Sequence, residues 1–238
     1  MFYYACMQIA LDLGQSEVFV SVRNRLRRLY GVVPYDFLRD PVSQLIKSML
    51  STHTFDRVST GALERLRERY RDWNELAKAP SAEVEALIAD VKYADKKAVE
   101  IGFALRRLKA ISGDLSLDFL HDWSLFRALH YLEKFNGVGR KIAAATVNFS
   151  TLRKPALVID SHLLRVLARL GFIDPAVTDA QPAYETVMPS LAEWSAGELF
   201  ELHCLLKKLG QEICRPEQPR CHACPLETLC AKGGLRDR

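Results

Sequence analysis

Apolar side chains recur along most of this chain every three or four residues, the repeat of one buried helix face. In EVFVSVRNRLRRLY, residues 17–30, the apolar positions gather on one face and the arginines on the other. In RDPVSQLIKSMLS, Asp40 suits a helix cap and Pro41 the first helical position, where a missing N–H costs nothing. Residues 56–70 set Val58, Leu63, Leu66 and Tyr70 against a face of Arg and Glu, and APSAEVEALIAD offers Ser81 as a cap. Further helical patterns follow in DKKAVEIGFALRRLKAI, DWSLFRALHYLEKF, RKIAAATVNFS and DSHLLRVLARLG, the last closed by Gly171. Residues 182–192 and 195–210 complete the series, with Ser195 and Glu198 spaced as a capping box. Strand-like alternation is confined to GQSEVFV and PALVID. The pattern predicts an all-α fold with short connections and does not place its domain boundaries.

Composition narrows this picture a little. With 238 residues, 49% of them apolar, the chain can bury one large core or two modest ones. The 33 Lys and Arg against 29 Asp and Glu leave +4, which permits a nucleic-acid partner without demanding one. No apolar run reaches membrane-spanning length. The opening MFYYACMQIALDLG lacks a basic start and contains Asp12, so it reads as a strand or helix packed on the body, not a signal peptide. Cys6 and Cys204 stand alone and the other four cysteines crowd one end, a distribution that suits a reducing compartment; a cytoplasmic location is expected.

Those four are Cys214, Cys221, Cys224 and Cys230, spaced C-x6-C-x2-C-x5-C. Four thiolates can surround a tetrahedral zinc or a cubane iron–sulfur cluster, and the spacing leaves both open. Pro216, Pro219 and Pro225 disfavour a regular helix here, so the tail can loop and its thiols converge. His222 lies inside the set and reads as a surface residue, since four cysteines already complete either site.

FNGVGRK, residues 135–141, supplies a second candidate. Gly137 and Gly139 allow a tight turn between helices and a close approach of backbone to a ligand. The helix that starts near Arg140 points its N-terminal amides at that turn, where they can meet a phosphate oxygen, with Arg140 as an added donor. Lys141 follows at once, and Asp160 stands after PALVI at the start of the next helical pattern, where a carboxylate caps well.

Taken in order, the GVGRK turn, the IDSH segment and the cysteine tail resemble endonuclease III, a helix–hairpin–helix DNA glycosylase family that carries a [4Fe–4S] cluster; the likeness spans about residues 20–232. The resemblance implies two helical domains flanking a DNA-binding cleft. One is a six-helix domain over 38–153 that ends in the hairpin; the other joins 1–37 to 154–238 and holds the cluster on Cys214, Cys221, Cys224 and Cys230. It implies hairpin amides at Gly137, Val138, Gly139 and Arg140 on the DNA backbone, with a monovalent cation beside them. Lys141 would attack C1′ of the flipped nucleotide, and Asp160 would assist. It further implies base-excision repair of double-stranded DNA holding a damaged base or abasic site, by a nucleoid-associated monomer with no membrane partner. Arg215 and Arg220 on the tail would meet phosphates.

Two segments depart from the family. Endonuclease III commonly has LLSAQATD, whose glutamine fills the space the flipped base leaves; this chain has MLSTHTFD, with His53 there. Where the family often has IGLYNSKA, this chain has VKYADKKA: Lys92 replaces the glycine, and Tyr93 falls where an apolar wedge is usual. Tyr93 can stack on bases, while Lys92 and Lys96 suit phosphates. The default substrate is an oxidised pyrimidine, removed with strand cleavage by β-elimination. Alkylated purines or mismatched uracil and thymine, with a weak lyase step, are the alternative, and a non-catalytic DNA-binding protein on the same scaffold is another. An adenine-removing relative would carry a glutamate where Ser51, Thr52 and His53 stand.

Overall fold

The structure, a computed structural model, describes residues 2–36 and 38–231, with side chains from Gly14 onward. The side chains of the opening segment, Cys6 among them, lie outside the described residues. Among the described residues eleven α-helices run in order: α1 (Phe2–Tyr30), α2 (Pro41–Ser51), α3 (Asp56–Arg69), α4 (Trp73–Lys78), α5 (Ser81–Leu87) and α6 (Ala94–Ser112), then α7 (Leu125–Leu132), α8 (Arg140–Asn148), α9 (Ser161–Leu170), α10 (Ala180–Val187) and α11 (Ala196–Glu212). Among the described residues there is no strand, only an isolated bridge between Arg39 and Ser150, so the fold is all-α. No described helix is long and apolar enough to cross a membrane.

Contacts divide the chain into two units, Leu38–Lys154 and Met1–Phe37 with Pro155–Arg238. The first contains α2 to α8, seven helices where the family likeness implies six. The extra one arises at Ala79–Pro80: Pro80 offers no N–H to continue α4, and the chain restarts as α5. Pro80 is itself the cap of α5, so Ser81 is the first helical residue and not the cap expected of it. The core of this unit is built by Leu45, Ile46 and Leu50 of α2, Leu63 and Leu66 of α3, Ile101, Leu105 and Leu108 of α6, and the small face of α8, where Ala143 and Ala144 are fully buried. Small side chains let α8 lie close to α2.

In the other unit, GQSEVFV is helical. Phe19, Val22 and Leu26 of α1 are fully buried at helical spacing, and the Phe19 ring stacks on Phe172 at 3.9 Å. Arg27 of α1 holds Glu201 of α11 through two bonds, Nε–Oε1 at 2.7 Å and Nη2–Oε2 at 2.5 Å. PALVID forms no strand among the described residues. Ala156, Leu157, Val158 and Ile159 are all buried, which accounts for the unbroken apolar run. The pattern over 182–192 breaks after Val187, where the 3-10 turn Met188–Leu191 replaces the α-helix. Asp40, Asp160 and the Ser195–Glu198 capping box cap α2, α9 and α11 as expected.

Candidate functional site

The hairpin lies within the Leu38–Lys154 unit. α7 ends at Leu132, the chain turns with the Val138 N–H bonding the Phe135 carbonyl at 3.0 Å, and α8 begins at Arg140. The two glycines turn out to differ. Gly137 has φ +79°, a left-handed backbone that other residues adopt only with strain, and a β-carbon there would also have to push the flexible Glu100 carboxylate aside. Gly139 has an ordinary φ of −95°, and a β-carbon there would meet nothing within 4 Å. It is exposed, caps α8 without a side chain, and leaves the space before the helix N-terminus open. Val138, expected at a DNA backbone, turns its side chain inward at 5% exposure and can offer only main-chain groups.

These environments predict different failures. Gly137→Ala should lose stability, because the left-handed backbone costs an L-residue about 1–2 kcal/mol before Glu100 is pushed aside. Gly139→Ala should change stability by less than about 1 kcal/mol, a weak-cap effect, yet lower affinity for duplex DNA. Denaturant unfolding and fluorescence anisotropy check the pair; an unaltered affinity in Gly139→Ala would contradict the reading.

Arg140 does not reach forward as a free donor. Its guanidinium folds back onto Glu133 of the hairpin, with Nε on Oε1 and Nη2 on Oε2 at 3.3 Å. Lys141 is half-buried in the first turn of α8, and its Nζ lies 3.5 Å from the Ser51 hydroxyl at the end of α2.

The two altered segments meet in the same unit. His53, just past α2, and Tyr93, just before α6, both hold left-handed backbones, φ 55° and 62°. Such angles are uncommon without glycine and mark turns whose shape is imposed from outside. The two rings stand edge to face with centroids 6.0 Å apart, and Lys92 Nζ lies 5.1 Å over the Tyr93 ring. Tyr93 is 53% exposed. Lys96 is exposed and pairs with Glu100 at 3.6 Å.

Two residues here escape a sequence reading. Phe55, at the N-terminus of α3, is 85% exposed, an aromatic beside the His53 turn. Lys97 is buried to 5% exposure, and its Nζ donates to the carbonyls of Leu50 (2.9 Å) and Thr52 (2.5 Å) and to Thr54 Oγ1 (3.3 Å). An unbroken KK pair gives no sign that one lysine points inward; only the apolar positions Ala98, Ile101 and Leu105 sharing its helix face hint at it.

In the other unit, Asp160 caps α9 and Oδ1 accepts from the N–H groups of His162 and Leu163, both at 2.9 Å. Burial pushes its carboxyl up, but His203, the Leu163 amide, Lys207 and His162 outweigh it, so the group stays below the usual Asp value and is ionised at neutral pH. His203 is a second residue the sequence does not announce. It is 5% exposed and its Nδ1 lies 2.7 Å from the Val158 carbonyl. That bond serves a buried segment that forms no strand among the described residues, and the segment leads directly into Asp160.

Among the described residues the tail of this unit forms short 3-10 turns, Cys221–Ala223 and Glu227–Leu229. Cys214, Cys221, Cys224 and Cys230 are all partly buried. Burial raises the Cys224 thiol first, and the charges of Cys214, Cys230 and Cys221 raise it further. Arg169 bonds the group from two sides: its Nη1 lies 3.3 Å from Cys214 Sγ and its carbonyl accepts from Cys230 Sγ at 3.2 Å. Arg25 holds the loop through the Pro225 carbonyl (3.3 Å) and Thr228 Oγ1 (2.6 Å). Among the described residues no three His, Cys, Asp or Glu side chains stand in a closed metal-holding geometry. As a donor set, neighbouring thiols that repel one another when charged fit a cationic or iron–sulfur occupant. Arg215, Arg220 and His222 are exposed.

Comparison with known proteins agrees with this arrangement. The family model for the HhH-GPD superfamily base excision DNA repair proteins matches residues 46–195. Endonuclease III of Thermotoga maritima is 31% identical over 206 residues, covering 84% of this chain and 89% of its own. The endonuclease III-like protein 1 of Bos taurus is 29% identical over 188 residues, 78% of this chain and 57% of its own. Among solved structures, a trapped endonuclease III–DNA covalent intermediate superposes with a TM-score of 0.75 at 25% identity, covering 94% of this chain and 99% of that one. A non-covalent endonuclease III–DNA complex gives 0.76, also at 25% identity, over 93% and 97%. The chain belongs to the HhH-GPD superfamily of base-excision repair proteins and, within it, to the endonuclease III family of DNA glycosylases.

Proposed function

We propose that this glycosylase removes an oxidised pyrimidine from duplex DNA and then cleaves the abasic strand, with Lys141 as the nucleophile and Asp160 as the assisting carboxylate. The observation that carries the reading is Lys141 itself: a half-buried amine one residue past Arg140, at the start of α8 and directly behind an exposed, unobstructed Gly139. A phosphate seated before the helix would bring the adjoining sugar near that amine. A similar protein of known structure has been trapped as a covalent DNA intermediate, which supports covalent chemistry here.

The chemistry runs as follows. Loss of the base leaves positive character on the sugar, which the ionised Asp160 stabilises. The C1′–N bond to the nucleobase breaks, the nucleobase leaving with a proton, and the uncharged Lys141 amine adds at C1′; the amine loses a proton as C1′–O4′ opens and O4′ is protonated, which gives the Schiff base, and a general base then removes the acidified C2′ proton. The 3′ phosphate leaves, and hydrolysis of the imine returns the lysine. His53 and Tyr93 occupy the gap left by the flipped nucleotide, with Lys92 and Lys96 on nearby phosphates. Cys214, Cys221, Cys224 and Cys230 would hold a [4Fe–4S] cluster, which would staple the tail and present Arg215 and Arg220 to DNA. The protein would act as a monomer in the cytoplasm, on the nucleoid, with a monovalent cation at the hairpin.

His53 in place of the family's glutamine and Tyr93 in place of its apolar wedge support a second reading of substrate: an alkylated purine or a mismatched uracil or thymine, with a weaker lyase step. One preparation answers both questions. Iron analysis should give about four irons per chain. Base release across oxidised, deaminated, alkylated and mismatched duplexes should be fastest on an oxidised pyrimidine; release confined to another class selects the second reading. Duplex binding with no base release from any substrate would leave only a DNA-binding scaffold.

A further inference from the structure

We infer that Lys97 is a positioning residue for Lys141: its buried ammonium holds the turn at the end of α2 on which Lys141 rests, and it places a like charge beside the Lys141 amine. The inference rests on reading Lys141 as the nucleophile.

A lysine at 5% exposure loses most of its hydration and needs compensation. Lys97 finds it in three neutral oxygens, the Leu50 and Thr52 carbonyls and Thr54 Oγ1. The carbonyls belong to the end of α2, where helical carbonyls lack internal partners and the macrodipole favours a cation. Ser51 lies between Leu50 and Thr52, and its hydroxyl is the oxygen that Lys141 Nζ approaches at 3.5 Å. Lys97 from α6 and Lys141 from α8 thus converge on one turn. Thr54 Oγ1 also accepts the Lys92 N–H at 3.2 Å, so the same anchor ties the His53 turn to the Tyr93 turn.

Satisfying those oxygens does not require a charge; a neutral donor would serve. The charge matters for its neighbour. Lys97 is faced by Lys141 from α8 and by Glu100 from its own helix, while α2 and the following turn offer it only neutral oxygens. Lys97 is lowered to about 8, mainly by burial and in part by the charge of Lys141, with Glu100 opposing both. Coulomb repulsion is mutual, so a charged Lys97 disfavours the protonated form of Lys141. Lys97 carries its charge below about 8 and supplies this repulsion at neutral pH; the effect fades as pH rises past that value.

The test is single-turnover borohydride trapping on an abasic-site duplex, measured against pH for the full chain and four variants. Lys97→Gln keeps a donor for the carbonyls without the charge, and should move the acid limb of trapping upward by about one pH unit, about tenfold in rate on that limb. Lys97→Arg should leave the limb in place. Glu100→Gln removes the charge that raises Lys97, so Lys97 discharges at a lower pH and the limb should move in the same upward direction, a readout that survives even where Lys97→Gln folds poorly. Limbs unmoved in both Lys97→Gln and Glu100→Gln, or equal rate losses in Lys97→Gln and Lys97→Arg at an unchanged limb, would overturn the inference and leave Lys97 a structural anchor. Lys141→Ala runs alongside: trapping that persists there sinks the nucleophile reading instead.

Discussion

Lys141→Ala should abolish borohydride trapping and strand cleavage, a loss on the order of a thousandfold or more, while duplex binding changes little. The size follows from removing the only atom that forms the bond to C1′: no remaining group substitutes for a nucleophile, and residual rate comes from binding and electrostatics alone. Stability should hardly move. Lys141 is half-buried, its contact with Ser51 is long at 3.5 Å, and alanine is the better helix former. Slow base release by water can continue in this variant, because Asp160 still stabilises the sugar. A variant that keeps both trapping and cleavage would move the chemistry elsewhere.

Asp160→Asn should lower base excision by about a hundred- to a thousandfold, the scale on which a removed charge stabiliser acts, with DNA affinity and folding largely intact. The separation is possible because Asp160 has two jobs. Its Oδ1 caps α9 through His162 and Leu163, which an asparagine oxygen can also do, while only the carboxylate carries a charge. Asp160→Ala removes both and should cost about 1 kcal/mol of stability as well. The pH dependence has a definite sign. The folded carboxyl lies below its unfolded value, so its contribution to stability is present above the unfolded pKa, near 4, and is lost as pH falls through the folded one. Equilibrium unfolding between neutral and acid pH should show that loss in the native protein and not in Asp160→Asn. Full excision activity in Asp160→Asn would overturn its assignment.

Much of this was legible locally. Asp40, Asp160 and the Ser195–Glu198 pair cap their helices where the residue types say they should, because capping involves only residues two or three apart. Gly171 closes α9 with φ 90° for the same reason. Errors appear where a neighbour in sequence is not the neighbour in space. Arg140 looks like a donor for DNA until Glu133, seven residues back across the hairpin, pairs with its guanidinium. GQSEVFV alternates over a few residues, but the longer spacing of Phe19, Val22 and Leu26 puts it in a helix.

The sequence by itself determined the helical class, the order of hairpin, aspartate and thiol tail, and the family to which they point, since each depends on spacing along a single segment. The tertiary structure decided which groups are charged, buried or exposed around those residues. It separated Gly137, favoured by its left-handed backbone, from Gly139, open to a ligand, and turned Val138 inward. It also brought Lys97 against the end of α2 and His203 against Val158, contacts 45 residues apart or more along the chain. Burial, repulsion between like charges and the pairing of orphaned carbonyls depend on distance through space, and a linear pattern does not encode that distance.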